Sequence, residues 1–317
     1  MQVIENIFAY LFMRYLVLFI SLLFAFQLKA QSNKDSLRKY VVRLSTLPEA
    51  RNAKNIASLN QVAATIHQKF ETYSNRVFFQ KFELNKTQYK NVICSFGPDT
   101  ASRIIIGGHY DVFGEAPGAD NNASGIAGIL ELARLLKQAE KNLKFRIDLI
   151  AYSLEEPPFA NTKNMGSAIH AKSLKENNIP IIGMINLKGI GFFTEKPRSQ
   201  KYPFLLQRVL YPNRGNFISI LHNYGNGKFG SILKNLCNQY ANGLPVKHFK
   251  PAIPFPVLNE GDHKNYFDLG IPALLISNTL SFRNKYYHYD TDTFETLDYV
   301  RMSKVIDMLF QAIMHYY

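Results

Sequence analysis

The spacing of hydrophobic positions changes along the chain. Between residues 33 and 75 it follows threes and fours, as in Leu59, Val62, Ile66 and Phe70, which predicts helix. From 76 to 96 it shortens to the alternation of strands, in Val77–Phe82 and Tyr89–Cys94, and Arg103–Gly108 adds a compact apolar run. Ser124 to Lys141 returns to helical spacing, with Ile126, Ile129, Leu130, Ala133 and Leu136 on one face. Further on, the pattern predicts strand 145–152, helix 165–177, strand 181–187 and strand 217–222. Helices 230–241 and 262–269, strand 272–277 and a final helix over 297–316 complete it. Strands alternating with helices predict an α/β fold, a three-layer α/β/α sandwich around a mixed, largely parallel sheet. No repeat or Pro/Ser-rich linker interrupts residues 31–317, so they are expected to form a single domain.

Residues 1–30 obey a different rule. Arg14 precedes the 12-residue run Tyr15–Phe26, which is short for a membrane span of about 20 residues and suits an export signal. Leu28-Lys29-Ala30 forms an imperfect cleavage site. The expectation is a signal peptide, an exported protein (periplasmic or secreted) and no stable membrane span after its removal. An uncleaved anchor is the competing reading.

Composition narrows the function classes. The 317 residues are 47% hydrophobic and 19% charged, enough for a sizeable core and too apolar for wholesale disorder. Lys+Arg minus Asp+Glu is 37 − 24 = +13, but the basic residues are scattered and no nucleic-acid motif accompanies them, so no nucleic-acid partner is expected. Two cysteines, Cys94 and Cys237, are too few for a disulfide scaffold or a Cys-rich zinc site. They are compatible with one disulfide or with two buried thiols. Gly225, Gly227 and Gly230 form a Gly-x-Gly-x-x-Gly, but residues 246–251 lack the acid a dinucleotide site requires, so no nucleotide cofactor is expected. A serine-hydrolase elbow, Gly-x-Ser-x-Gly, does not occur.

The candidate chemistry lies just after the apolar runs. It comprises His109-Tyr110-Asp111, then Gly118-Ala119-Asp120-Asn121-Asn122-Ala123-Ser124-Gly125, Glu155-Glu156, and His288-Tyr289-Asp290-Thr291. Imidazole and carboxylate suit zinc, and Asp111 is placed to accept the second N–H of His109. Glu155 and Glu156 cannot both point the same way in extended chain, so one can bind metal while the other takes a proton from a bound water. Singly, these pieces also read as a core pair, a solvated face and a helix cap. The ordered set at strand exits is far more specific.

That set resembles the zinc exopeptidase superfamily of bacterial leucyl aminopeptidases and glutaminyl cyclases, over roughly residues 55–317. The family pattern is His-x-Asp, Gly-Ala-Asp-(Asp/Asn)-Asn-Ala-Ser-Gly, Glu-Glu, an acid after a strand, and His before Asp-Thr. The resemblance implies Asp120 as the ligand bridging two metals, His109 on the first metal, Glu156 and His288 on the second, Glu155 as general base and Asp111 orienting His109. Asp262 and His263 match a family stretch that opens a helix beside the site, with no catalytic role implied.

One ligand departs from the pattern. The acid after strand 181–187 is replaced by Lys188. A divalent metal with its private carboxylate carries +1, as does an ammonium, so Lys188 is expected to fill the first-metal position and donate to Asp120. One zinc held by Asp120, Glu156 and His288 would keep an open fourth position, as catalytic zinc requires. Two zinc ions remain possible on this reading. The expected function is a metal-dependent hydrolase of the aminopeptidase type acting on peptide or aminoacyl-amide substrates. The alternatives are a non-catalytic peptidase-like binding protein and a mononuclear acyltransferase of the glutaminyl-cyclase type.

Overall fold

A computed structural model describes residues 31–99, 101–222, 227–249 and 260–316. The candidate export signal and part of the glycine motif lie outside them. Ser32–Tyr317 forms one compact unit. Its first helical stretch is two helices rather than one. In α1 (Lys34–Ser45) the Asn33 side chain caps the start by accepting from the N–H groups of Asp35 and Ser36. Pro48 falls in the break before α2 (Ile56–Glu71), where its fixed φ and missing N–H prevent the helix from continuing.

Eight strands follow, interleaved with helices: β1 (Val77–Leu84), β2 (Thr87–Phe96), β3 (Arg103–His109), α3 (Gly125–Ala139) and β4 (Arg146–Tyr152). Then come α4 (Gly166–Glu176), β5 (Ile181–Leu187), α5 (Leu205–Leu210), β6 (Ile218–His222) and α6 (Gly227–Gln239). The chain closes with β7 (Val246–Phe249), α7 (Asp262–Phe267), β8 (Ala273–Ser277) and α8 (Tyr299–Met314). Asn85 and Lys86 turn the β1–β2 hairpin with φ of 49° and 64°, the left-handed pair that matches strand twist.

The strands form one sheet in the order β1-β2-β4-β3-β5-β8-β6-β7. The pairings β3–β4, β3–β5, β5–β8 and β6–β7 are parallel; β1–β2, β2–β4 and β6–β8 are antiparallel. The sheet is mixed, as the sequence pattern predicts. Ile105, Met184 and Ala273 pack against α4 and α7 on one face. On the other, α1, α3, α6 and α8 pack together, and α3 lies on β3, β4 and β5. The four parallel pairings bring several strand carboxyl ends to one edge, where polar side chains can gather over a rigid base.

Cys94 and Cys237 are both free and buried, and burial pushes each thiol up to about 12. Among the described residues no helix is long and apolar enough to cross a membrane. Two elements went unpredicted. β7 has four residues with little apolar alternation, and α5 has no polar face to define its period.

Candidate functional site

The parallel ladder fixes the first members of the site. His109 closes β3 opposite Tyr152 of β4, and the Tyr110 N–H donates to the Tyr152 carbonyl at 2.8 Å. Beyond Tyr152 the chain leaves the extended conformation, with Leu154 at φ 65°. This turn brings both Glu155 and Glu156 into the same cluster as His109, their ligating atoms all within 4.8 Å of one another. The expectation that the two glutamates diverge assumed extended chain, and the bend at Leu154 corrects it. The Asp111 carboxylate holds the bend, accepting the N–H groups of Glu155 at 3.1 Å and Glu156 at 2.9 Å. His109 is oriented instead by the Asp111 main-chain carbonyl, 3.0 Å from Nδ1, with the Asp111 Oδ1 at 3.5 Å.

Lys188 enters from β5. Its N–H donates to the Ile276 carbonyl at 3.2 Å, continuing the β5–β8 ladder by one residue. Gly189 then turns away at φ 61°, a left-handed conformation that a Cβ would strain. The Lys188 side chain therefore reaches the site, where Nζ donates to Glu155 Oε1 at 2.6 Å; the two residues are 6% and 4% exposed. Burial alone would lower the Lys188 ammonium, but Glu155, Tyr287 and Glu156 outweigh it and hold the group well above its usual range. Lys188 is thus a buried cation, as expected, but its carboxylate partner is Glu155 and not Asp120.

Asp120 is turned to another task. Its Oδ1 accepts from the N–H groups of Gly191 at 3.0 Å and Phe192 at 3.1 Å; its Oδ2 accepts from Asn278 Nδ2 at 2.7 Å and Asn284 Nδ2 at 2.9 Å. Four donors on other segments consume both oxygens, and Asp120 is not part of the His109–Glu155–Glu156 group. The structure does not bring Asp120, Glu156 and His288 together as a ligand trio. The reason is local: the turn 119–124 is non-helical at Asn121 and Asn122, so its adjacent side chains serve different sides. Asn121 is the residue that faces the site, donating from Nδ2 to Glu156 Oε1 at 2.6 Å.

His288, at φ 69°, approaches the same Glu156 oxygen with Nε2 at 3.2 Å, and its ring stacks on Phe113 and Tyr287. Its side chain is 28% exposed and forms the mouth of the site. Burial would raise the Glu156 carboxyl, but the His288 hydrogen bond and the Lys188 and His109 charges bring it down to about 2. Burial would likewise lower His109, yet Glu155 and Asp111 raise it to about 9. Asp262 starts α7 fully buried, and burial together with the nearby Glu155 charge pushes it up to about 7.

The sequence pattern had assigned Asn121 no role, although the second position of the Asp-(Asp/Asn)-Asn stretch was the available signal. Tyr287 was also missed; nothing in its spacing distinguishes it from neighbouring tyrosines.

A two-metal centre does not fit this arrangement. Any ion on Glu155 would share that carboxylate with the Lys188 ammonium. Charges of +2 and +1 at ~4 Å repel by about 8 kcal/mol at an effective dielectric of ~20. The residue beside Glu156 is an amide that already donates to it. One observation points the other way: the buried Asn121 Oδ1 has no hydrogen-bond partner, and His109 Nε2 reaches only the Glu155 Oε2 at 3.4 Å.

Comparisons with known proteins agree with this architecture. The model of a family described as Peptidase family M28 matches residues 91–313. The uncharacterized protein YfbL of Escherichia coli K12 is 38% identical over 290 residues, covering 87% of this chain and 86% of its own. Leucine aminopeptidase 1 of Ajellomyces dermatitidis is 23% identical, over 87% of this chain and 69% of its own. Among solved structures, the LapA aminopeptidase of Legionella pneumophila superposes with a TM-score of 0.69 at 20% identity, covering 89% of this chain and 71% of that one. The glutaminyl cyclase of Porphyromonas gingivalis gives a TM-score of 0.68 at 17% identity, covering 89% and 98%.

Proposed function

The chain belongs to peptidase family M28, and on that footing we propose that it binds peptide or aminoacyl-amide ligands at a centre where Lys188 stands in for metal, without two-metal hydrolysis. The observation that carries this reading is the buried Lys188 Nζ–Glu155 Oε1 pair at 2.6 Å. It occupies the carboxylate that a hydrolase of this family pattern would use as general base. With His109 protonated, the positive charges of His109 and Lys188 balance the negative charges of Glu155 and Glu156. The open side of the site, at Phe113 and His288, is aromatic and suits the planar amide and apolar side chain of a peptide.

A second reading keeps one zinc on Glu156 and His288, with hydrolysis or acyl transfer at that ion. The buried Asn121 Oδ1 favours it, because that oxygen lacks a hydrogen-bond partner on the amide that donates to Glu156. An export signal over residues 1–30, and with it a periplasmic or secreted location, is part of the proposal; the apolar run Tyr15–Phe26 supports it.

Hydrolysis of leucyl anilides by the purified chain, with and without added zinc, separates the readings. The first predicts no turnover beyond a heat-inactivated control, together with a rise in melting temperature on adding short peptides. Zinc-dependent turnover that disappears in Glu155→Gln would overturn it in favour of the second.

A further inference from the structure

Large apolar side chains concentrate on the solvent side of a single short helix. In α5, Leu205 is 75% exposed, Leu206 67%, Val209 80% and Leu210 66%. Isolated exposed apolar side chains are ordinary, but three leucines and a valine within six residues form a patch of the kind that marks a contact surface.

The helix sits at the tip of a closed excursion between β5 and β6. The neck is pinned by Thr194 N–H to the Gly215 carbonyl at 2.9 Å and Gln200 N–H to the Asn213 carbonyl at 3.1 Å. Below the helix, the Tyr202 hydroxyl donates to the Pro212 carbonyl at 2.8 Å, and Tyr202 stacks on Tyr211 at 5.8 Å. The tip is therefore a rigid protrusion anchored in the cluster of Tyr202, Phe217 and Phe249.

Its charge is one-sided. Residues 194–216 contain Lys196, Arg198, Lys201, Arg208 and Arg214 against the single acid Glu195. Glu195 is already engaged by Arg301 and by Asn216 Nδ2. No acidic side chain pairs with those five bases among the described residues. Apart from Gln207 and Arg208 the helix is apolar all round. A protein partner covers one face of a helix, whereas a helix apolar on most sides is satisfied by immersion in an apolar medium. Basic side chains around an inserted tip fall at the level of lipid headgroups, and long stems let them reach phosphate from below.

We propose that the excursion 194–216 is an interfacial anchor that inserts α5 into an anionic lipid surface, with the surrounding lysines and arginines held against the headgroups. This inference is independent of the chemistry at Lys188. It assigns a lipid contact to a segment that supplies none of the site groups described above.

The chain contains no tryptophan, so Leu206→Trp places a single reporter on the tip of the full-length protein. Vesicles of equimolar phosphatidylglycerol and phosphatidylcholine are expected to shift its emission to the blue, and brominated lipid in the same vesicles to quench it. Adding Lys201→Glu and Arg208→Glu should weaken the titration at least tenfold, since each basic charge near an anionic surface contributes about fivefold. A melting temperature equal to that of the parent shows that these exposed substitutions leave the fold intact. Emission that stays at its solvent-exposed wavelength with anionic vesicles overturns the proposal. So does equal binding to pure phosphatidylcholine. Emission already blue-shifted without lipid, on a particle of doubled mass, also overturns it and assigns the patch to a second copy of the chain.

Discussion

Asp120 and Glu155 are both buried carboxylates at the carboxyl edge of the same sheet, and the protein stabilises them in opposite ways. Asp120 is held by neutral donors: two main-chain N–H groups and two asparagine amides. Glu155 is held by an ammonium at 2.6 Å. Hydrogen bonds from fixed amides satisfy a carboxylate's lone pairs without adding charge, and they tie together the segments that supply them. A lysine brings a full counter-charge on a flexible stem and ties down little else. The first arrangement is structural. The second leaves a neutralised centre that depends on one side chain.

Replacing Asp120 should give the largest effect. Asp120→Ala leaves Gly191, Phe192, Asn278 and Asn284 with unsatisfied donors, and is expected to cost about 5 kcal/mol in denaturant unfolding or to prevent folding. A loss under 1 kcal/mol would place Asp120 outside the framework. Lys188→Met should follow, at about 3–4 kcal/mol, because it leaves Glu155 buried without its counter-charge. Here the contrast sharpens: added zinc is expected to restore part of the Lys188→Met loss and none of the Asp120→Ala loss.

The pH dependence is smaller and has two signs. His109 is raised to about 9, so its contribution is present below pH ~6.5 and is lost as pH climbs through 9, a loss of about 3 kcal/mol relative to His109→Gln. Glu156 is lowered to about 2, so its contribution is present above pH ~4.5 and is lost as pH falls toward 2, relative to Glu156→Gln. Unfolding curves of the parent that run parallel to both variants across these ranges would contradict the charge assignments. Phe113→Ala should be the mildest change, about 0.5–1 kcal/mol, removing the ring stacked on His288 at the mouth.

Much of this was legible before the structure. Strand ends announce themselves by a polar residue after an apolar run, and that rule located His109 and the Glu155–Glu156 pair, while Lys188 stood out only against the pattern of the resembled family. The replacement of an acid by Lys188 gave the buried cation directly. The errors came where one residue of offset decides the outcome. In a non-helical turn, spacing does not say whether Asp120 or Asn121 faces the site, and the resemblance was carried onto the first residue of the Asp-(Asp/Asn)-Asn stretch rather than the second. The partner of Lys188 followed from that mistake. Helix α5 escaped because periodicity detects two-sided elements, and this one exposes apolar side chains on nearly every side.

The central claim is that the Lys188 ammonium holds a place a metal ion would otherwise take. Elemental analysis of the purified chain beside Asn121→Asp combined with Lys188→Glu tests it most directly. The account predicts little or no zinc in the parent and stoichiometric zinc in the double variant. Stoichiometric zinc in the parent, retained on dialysis, would contradict it.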